Sequence, residues 1–242
     1  MYLLHVMPPT ALKEPERLGD FPPLESVIHA PTETDFQPPL KMEAPLTKLY
    51  LYERNTPRMI VDVARDRSVE LICMAATSQR VDVTWWSAGK TVERVIAEAP
   101  CSVLCARGRA VRENDWKRPS FKRVLLLIEL GEQQEAVLSR LMPLVKRFRS
   151  ELDIFPVTKS RRMEQNETSA REFCRAQSVT ATVLQFDNPK NRMQNLLAIL
   201  DKTPVDLIVM TPRTREKFSS RLVSDVLVRL LRLAKCPVLL LR

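Results

Sequence analysis

The side chains able to do chemistry are few and widely spaced. His5 and His29 are the only histidines in 242 residues, and neither has a cluster of acids or thiols near it in sequence. Cys73, Cys101, Cys105, Cys174 and Cys236 form no C-x-x-C pair, and most fall inside apolar stretches. Reduced, buried thiols are therefore expected, not a metal or redox centre. Glu129 closes an apolar run without an evident acid or base partner, and no cysteine has an activating neighbour. Nucleophilic and general acid–base catalysis both need such a partner, so the expectation is a protein that is not an enzyme. What remains is a basic loop with Arg213, Arg215 and Lys217 between an apolar run and an amphipathic stretch, where an anion can be held.

The elements that must position these residues are clearest in the closing segment, residues 205–242. Asp206-Leu-Ile-Val-Met210 is short, apolar and β-branched, as a buried strand is. From Ser219 onward, Leu222, Val223, Val226, Leu227, Leu230, Leu231 and Ala234 recur at helical spacing, with Arg221, Asp225, Arg229 and Arg232 on other faces. Cys236-Pro-Val-Leu-Leu-Leu241 supplies a second apolar strand. Strand, crossover helix and buried strand imply a parallel sheet. Residues 69–107 repeat this unit: Leu71, Ile72 and Met74 align with Leu207, Ile208 and Met210. After one extra loop residue, Arg94, Ala99, Cys101 and Leu104 align with Arg229, Ala234, Cys236 and Leu239.

Both copies resemble the closing segment of the universal stress protein family, which reads as a DLIVMG strand, a glycine-rich loop, a helix and a PCPVLVV strand. The resemblance runs through nearly all of residues 121–242. In the front half it starts at Leu3-Leu-His-Val6 and Met7-Pro-Pro9, which resemble the family's second strand. It implies an α/β fold of two Rossmann-like (adenine nucleotide alpha hydrolase-like) domains with parallel five-stranded sheets in the order 3-2-1-4-5. The front domain lacks its first strand and helix, which in the rear half are Arg123–Ile128 and about Gln133–Arg149. Because that strand is central, its loss exposes unpaired backbone. An N-terminally shortened chain, another chain or segment filling the gap, and direct closure of strands two and four are three explanations. A shortened chain is favoured, and the resemblance adds, as one alternative, a membrane transporter carrying the module as a cytoplasmic regulatory tail, since such fusions are known in the family.

In ATP-binding members the loop after the fourth strand reads G-x-x-G, nine residues, then G-S or G-T, so that backbone amides reach the phosphates. The resemblance places Thr211, Thr214, Ser224 and Asp225 at those positions of the rear half, with Arg213 in the same loop. It places Ala75, Ser78, Gly89 and Lys90 at those of the front half. Glu129 matches the acidic residue ending the first strand, and Val157 is the corresponding position after the second. The rear loop keeps no glycine, and Asp225 would repel phosphate at a helix start that otherwise attracts it. No cofactor is expected. A nucleotide such as ATP or AMP held by Arg213, Arg215, Lys217 or Lys90 is the alternative, which would make the protein a nucleotide-binding stress sensor.

Taken in order, the domains expected are 1–113, incomplete and with a proline-rich insertion at 7–45, a linker at 114–119, and a complete domain at 120–242. The insertion is either a mobile linker or an arm laid over a partner. Trp85-Trp86 forms a contact patch or packs over the domain edge. At 45% hydrophobic content each half can bury a modest core. No apolar run approaches the roughly 20 residues that span a bilayer, and the opening MYLLHV has no basic start, so a cytoplasmic location is expected. The charge excess is confined to residues 119–242, with 22 Lys and Arg against 13 Asp and Glu, while residues 1–118 carry 16 of each. An anionic partner is one reading. Aromatics to interleave a nucleic-acid groove are scarce, which favours a solvated surface. The family's last strands commonly pair antiparallel between subunits. Here Ser102–Ala106 and Val238–Leu241 lie in one chain, and their pairing would make an intramolecular pseudo-dimer. The expected role is a non-catalytic tandem stress protein acting through protein contacts or self-association.

Overall fold

A computed structural model describes residues 2–7, 47–52, 55–75, 90–106, 121–157, 162–185, 192–211, 227, 229–231 and 233–242. The proline-rich insertion beyond Met7, Trp85-Trp86 and the proposed linker lie outside the described residues. Met7 itself closes a strand.

The front half contributes β1 (Tyr2–Met7), β2 (Thr47–Tyr52), α1 (Thr56–Asp66), β3 (Leu71–Ala75), α2 (Lys90–Glu98) and β4 (Ser102–Ala106). The rear half contributes β5 (Arg123–Ile128), α3 (Gln134–Phe148), β6 (Glu151–Pro156), α4 (Met163–Ala176), β7 (Ala181–Val183), α5 (Arg192–Lys202), β8 (Leu207–Met210) and β9 (Val238–Leu240). Local chemistry accounts for several boundaries. The Asn55 side chain accepts from the Arg58 N–H at 3.3 Å, and Pro57 sits in the first turn of α1, where a missing N–H is harmless. β5 is an unbroken apolar strand, buried from Val124 to Ile128, as a central parallel strand must be.

Seven strands form one sheet in the order β3-β4-β9-β8-β5-β6-β7. Its rear five keep the expected 3-2-1-4-5 order and pair parallel with one another. The two halves meet where β4 pairs antiparallel with β9, with Val103 opposite Leu240, Leu104 opposite Leu239 and Cys105 opposite Val238. Leu104 and Leu239 are equivalent residues of the repeat. Like residues facing each other across an antiparallel pair is the relation that a local twofold axis imposes. β1 and β2 form a separate parallel pair, so direct closure of the front half's second and fourth strands does not occur.

Side chains alternate across the sheet into two layers. Leu125, Leu127, Phe155, Ile208 and Met210 share one core with Val92, Val95 and Ile96 of α2, with Val103, and with Leu227, Leu230 and Leu231 of the closing helix. Val124, Leu126, Ile128, Leu207 and Val209 share the other with Leu138, Leu141 and Val145 of α3 and with Ala170 and Cys174 of α4. The first core draws on both halves. The chain end fastens the same seam: Arg242 Nη2 donates to the carbonyls of Ile96 at 2.7 Å and Ala97 at 3.2 Å, and its backbone N–H donates to Ser102 Oγ at 3.1 Å. A guanidinium on the last carbonyls of α2 also complements the helix dipole. Arg242→Ala should lower stability by about 1 to 3 kcal/mol, the usual loss of charge-assisted hydrogen bonds. Urea unfolding of the two proteins measures it, and equal midpoints would remove the clamp from the account.

Candidate functional site

In an open parallel sheet the crevice for ligands lies beyond the carboxyl ends of the strands, where the chain switches direction. Here β5 is followed by β6 and β7 on one side, and the chain returns to β8 and β9 on the other, so the switch lies between β5 and β8. The last paired residues there are Leu127 with Met210 and Ile128 with Pro156. Glu129, Val157 and Thr211 are the next residue of each strand, and all three are half-buried. The Val157 N–H donates to the Ile128 carbonyl at 2.9 Å, and the Leu241 N–H donates to that of Met210 at 2.8 Å, which holds the strand ends flush.

A buried amide fixes the loop that follows β5. Gln134 is 4% exposed; its Oε1 accepts from the Gly131 N–H at 3.0 Å and its Nε2 donates to the Asn166 carbonyl at 3.0 Å. Asn166 Nδ2 in turn donates to the Leu130 carbonyl at 3.3 Å. The floor of the crevice beside Glu129 is thus tied to α4 before any ligand arrives. Sequence reading missed Gln134 and Asn166. The only signal was a polar residue on the apolar face of α3.

Gly89, Arg213, Thr214, Ser224 and Asp225 lie outside the described residues, as do Arg215 and Lys217. Lys90 opens α2. Because β4 runs antiparallel to β9, the carboxyl ends of β3 and β4 face the opposite edge of the sheet from those of β5 and β8. Lys90 therefore stands at the opposite edge of the sheet from Glu129, Val157 and Thr211.

A model of the universal stress protein family matches residues 1–107 and 163–242. The chain belongs to that family. Solved structures agree on the fold. A universal stress protein from Archaeoglobus fulgidus DSM 4304 is 16% identical, with a TM-score of 0.57, over 82% of this chain and 67% of that one. A universal stress protein structure from Pseudomonas aeruginosa UCBPP-PA14 is 14% identical, with a TM-score of 0.56, over 99% of this chain and 81% of that one. No curated protein sequence matches. Among the described residues no helix of this universal stress protein is long and apolar enough to cross a membrane.

The other polar groupings have structural work to do. At the amino ends of the strands Arg123 Nη2 meets Glu151 Oε2 at 2.8 Å, Arg123 Nε meets Asp153 Oδ2 at 3.7 Å, and the Arg123 N–H donates to Asp206 Oδ2 at 2.9 Å. Burial pushes the Asp153 carboxyl above its ordinary range, partly offset by Arg123. This lattice joins β5, β6 and β8 on the edge opposite the crevice. The thiols match the expectation with one exception. Burial drives Cys105 up to about 12 and Cys174 up to about 11, which keeps them protonated and inert. Cys101 and Cys236 are buried too, but Cys73 is exposed. Its strand is apolar on both faces yet stands at the sheet's edge, so the burial expected of it is not achieved.

Proposed function

We propose that this universal stress protein is a non-catalytic, cytoplasmic tandem module that acts through protein contacts, without the family's usual ATP cradle. The observation that carries the reading is the loop after β8: from Thr211 to Asp225 it holds no glycine, and the whole chain has only four. Backbone amides can approach phosphates closely where glycine removes the Cβ, and the sequence after β8 offers no such residue. Pairing of β4 with β9 consumes inside one chain the strands that would otherwise join subunits. The chain is in effect a pseudo-dimer, and its contacts with other molecules fall to other surfaces.

The second reading, a sensor of ATP or AMP, is favoured by the convergence of Glu129, Val157 and Thr211 at the switch point, with Arg213 and Arg215 in the adjoining loop sequence. Thermal unfolding with ATP and AMP, with and without Mg²⁺, separates the two. A site with ligand at about 100 times Kd would add about 2.7 kcal/mol, which for a chain of this size raises Tm by roughly 5 to 11 °C. The expected result is no shift at millimolar nucleotide. A rise of that size, lost in Arg213→Ala or Glu129→Ala, would replace the contact reading with the sensor.

A further inference from the structure

The basic surplus of residues 119–242, 22 Lys and Arg against 13 Asp and Glu, is not spread evenly. Among the described residues, Glu129, Glu132, Glu135 and Glu164 stand where β5 ends and α3 and α4 begin, at the carboxyl edge of the rear strands. Lys122, Arg147, Arg149, Lys202 and Lys235 stand at the amino edge, and all five are exposed. Helix dipoles account for Arg147 and Lys202, which lie in the last turns of α3 and α5. They do not account for Lys122, which precedes β5.

Lys122 and Arg149 line one hollow of about 600 Å³ at the amino ends of β5, β6 and β8, together with Arg123, Phe148, Glu151 and Asp206. Its carboxylates are already met, Glu151 by the Arg123 guanidinium and Asp206 by the Arg123 N–H. Lys122 and Arg149 therefore set its charge, beside the half-buried Phe148 ring. Arg149 caps α3 at φ 53, in the left-handed region where glycine is the usual residue, so its charge is placed there at a cost in stability. A second hollow of about 510 Å³ lies between α5 and the end of the closing helix, and Pro204 lines both. Its lining is largely apolar, with Leu197, Leu200 and Leu233, the last 54% exposed. The front half is built differently at the equivalent place. Arg65 and Glu98 take the positions of Asp201 and Leu233, and Arg65 Nη2 reaches across to the Glu98 carbonyl at 3.4 Å. A carboxylate at position 201 cannot donate such a bond, and the rear half has a groove there instead.

We propose that the two hollows form one groove for an extended acidic segment of a partner protein, with carboxylates at Lys122 and Arg149 followed by a bulky apolar side chain against Leu200 and Leu233. Charge complementarity selects the acidic residues, and the apolar second hollow selects a polypeptide over a free anion. Nucleic acid fits less well, because its phosphates recur along the whole backbone while Glu151, Asp201 and Asp206 interrupt the cations here. The inference rests on the protein-contact reading and names the partner's chemistry.

The probe is a fluorescent synthetic peptide, a run of alternating Glu and Asp closing on Leu-Leu-Phe, titrated with the full chain and followed by anisotropy. It should bind, and the affinity should fall as salt rises. Arg149→Gly should weaken binding about tenfold, the loss of one charge-assisted contact. The same variant should keep or raise the urea midpoint, since glycine suits the left-handed cap, and this separates lost binding from lost folding. Leu233→Asp should weaken binding at least as much, whereas Arg140→Ala, an exposed cation in the middle of α3, should leave it unchanged. Absence of binding by the acidic peptide overturns the inference, as does unchanged affinity in Arg149→Gly or equal binding of a peptide with Gln and Asn in place of the acids. Single-stranded DNA that displaces the peptide at a lower concentration than unlabelled peptide does assigns the groove to nucleic acid and also overturns it. A nucleotide-induced rise in Tm with peptide binding intact would remove the contact reading and leave the groove. No rise and no peptide binding would remove the groove alone.

Discussion

Val103→Asp opens the seam between the halves and unfolds much of the protein. Val103 is completely buried, sits in β4 opposite Leu240 of β9, and lies in the core built from both halves. The side chains that share its core are apolar. An uncompensated buried charge costs about 3 to 5 kcal/mol, a large part of the roughly 5 to 15 kcal/mol that holds a domain together. Leu239→Asp attacks the same seam from the other strand and the other face, because Leu239 packs in the second core. Small-angle scattering should show both variants expanded, and thermal melting should show both strongly destabilised. Unchanged compactness would mean that the β4–β9 pairing is incidental.

Ile96→Ala should weaken the rear half as much as the front. Ile96 is 1% exposed on α2 and shares its core with Phe155, Ile208 and Leu231. Removing a buried branched side chain of this size costs about 2 to 5 kcal/mol. If the halves unfold as one unit, the loss appears in a single transition seen by every probe. Cys174 reports on the rear half, since it is fully buried in the other core. Its alkylation should become possible at the same urea concentration at which α2 loses its helical signal, and at a lower one than in the parent. Two separate transitions, with Cys174 protected through the first, would show instead that each half is stable alone.

Much of the fold was legible in residue pattern. β8 reads from Leu207 to Met210 as four apolar residues between polar ones, and the 3.6-residue recurrence of Val92, Val95, Ile96 and Ala99 marks α2. These are local signals: the period of burial is written into the order of residues. The repeat carried the same information further. It fixed the equivalence of Leu104 and Leu239, and hence the strands able to pair across a local axis. The candidate site was only partly legible. Glu129, Val157 and Thr211 were named because each follows a strand that resembles the family's, and the fold sets each just past the last paired residue of its strand. Gln134 and Asn166 were not found, because their role depends on α3 and α4 lying side by side, which no spacing along the chain encodes.

The sequence by itself determined the strands and helices, their doubling and the loss of glycine after β8, since each depends on residue type and period, while the order of the rear five strands followed from the family resemblance. Three things were decided only by tertiary structure. The antiparallel seam sends the carboxyl ends of the two halves to opposite edges, so Lys90 and Glu129 stand at opposite edges of the sheet. The same seam merges the helices of both halves over one core, making their stability common. Leu71 and Leu207 are the same residue in the same motif, yet one is exposed and the other buried. An apolar side chain records only that cover would be favourable, and whether a neighbouring strand and helix are there to supply it is a property of the assembled sheet.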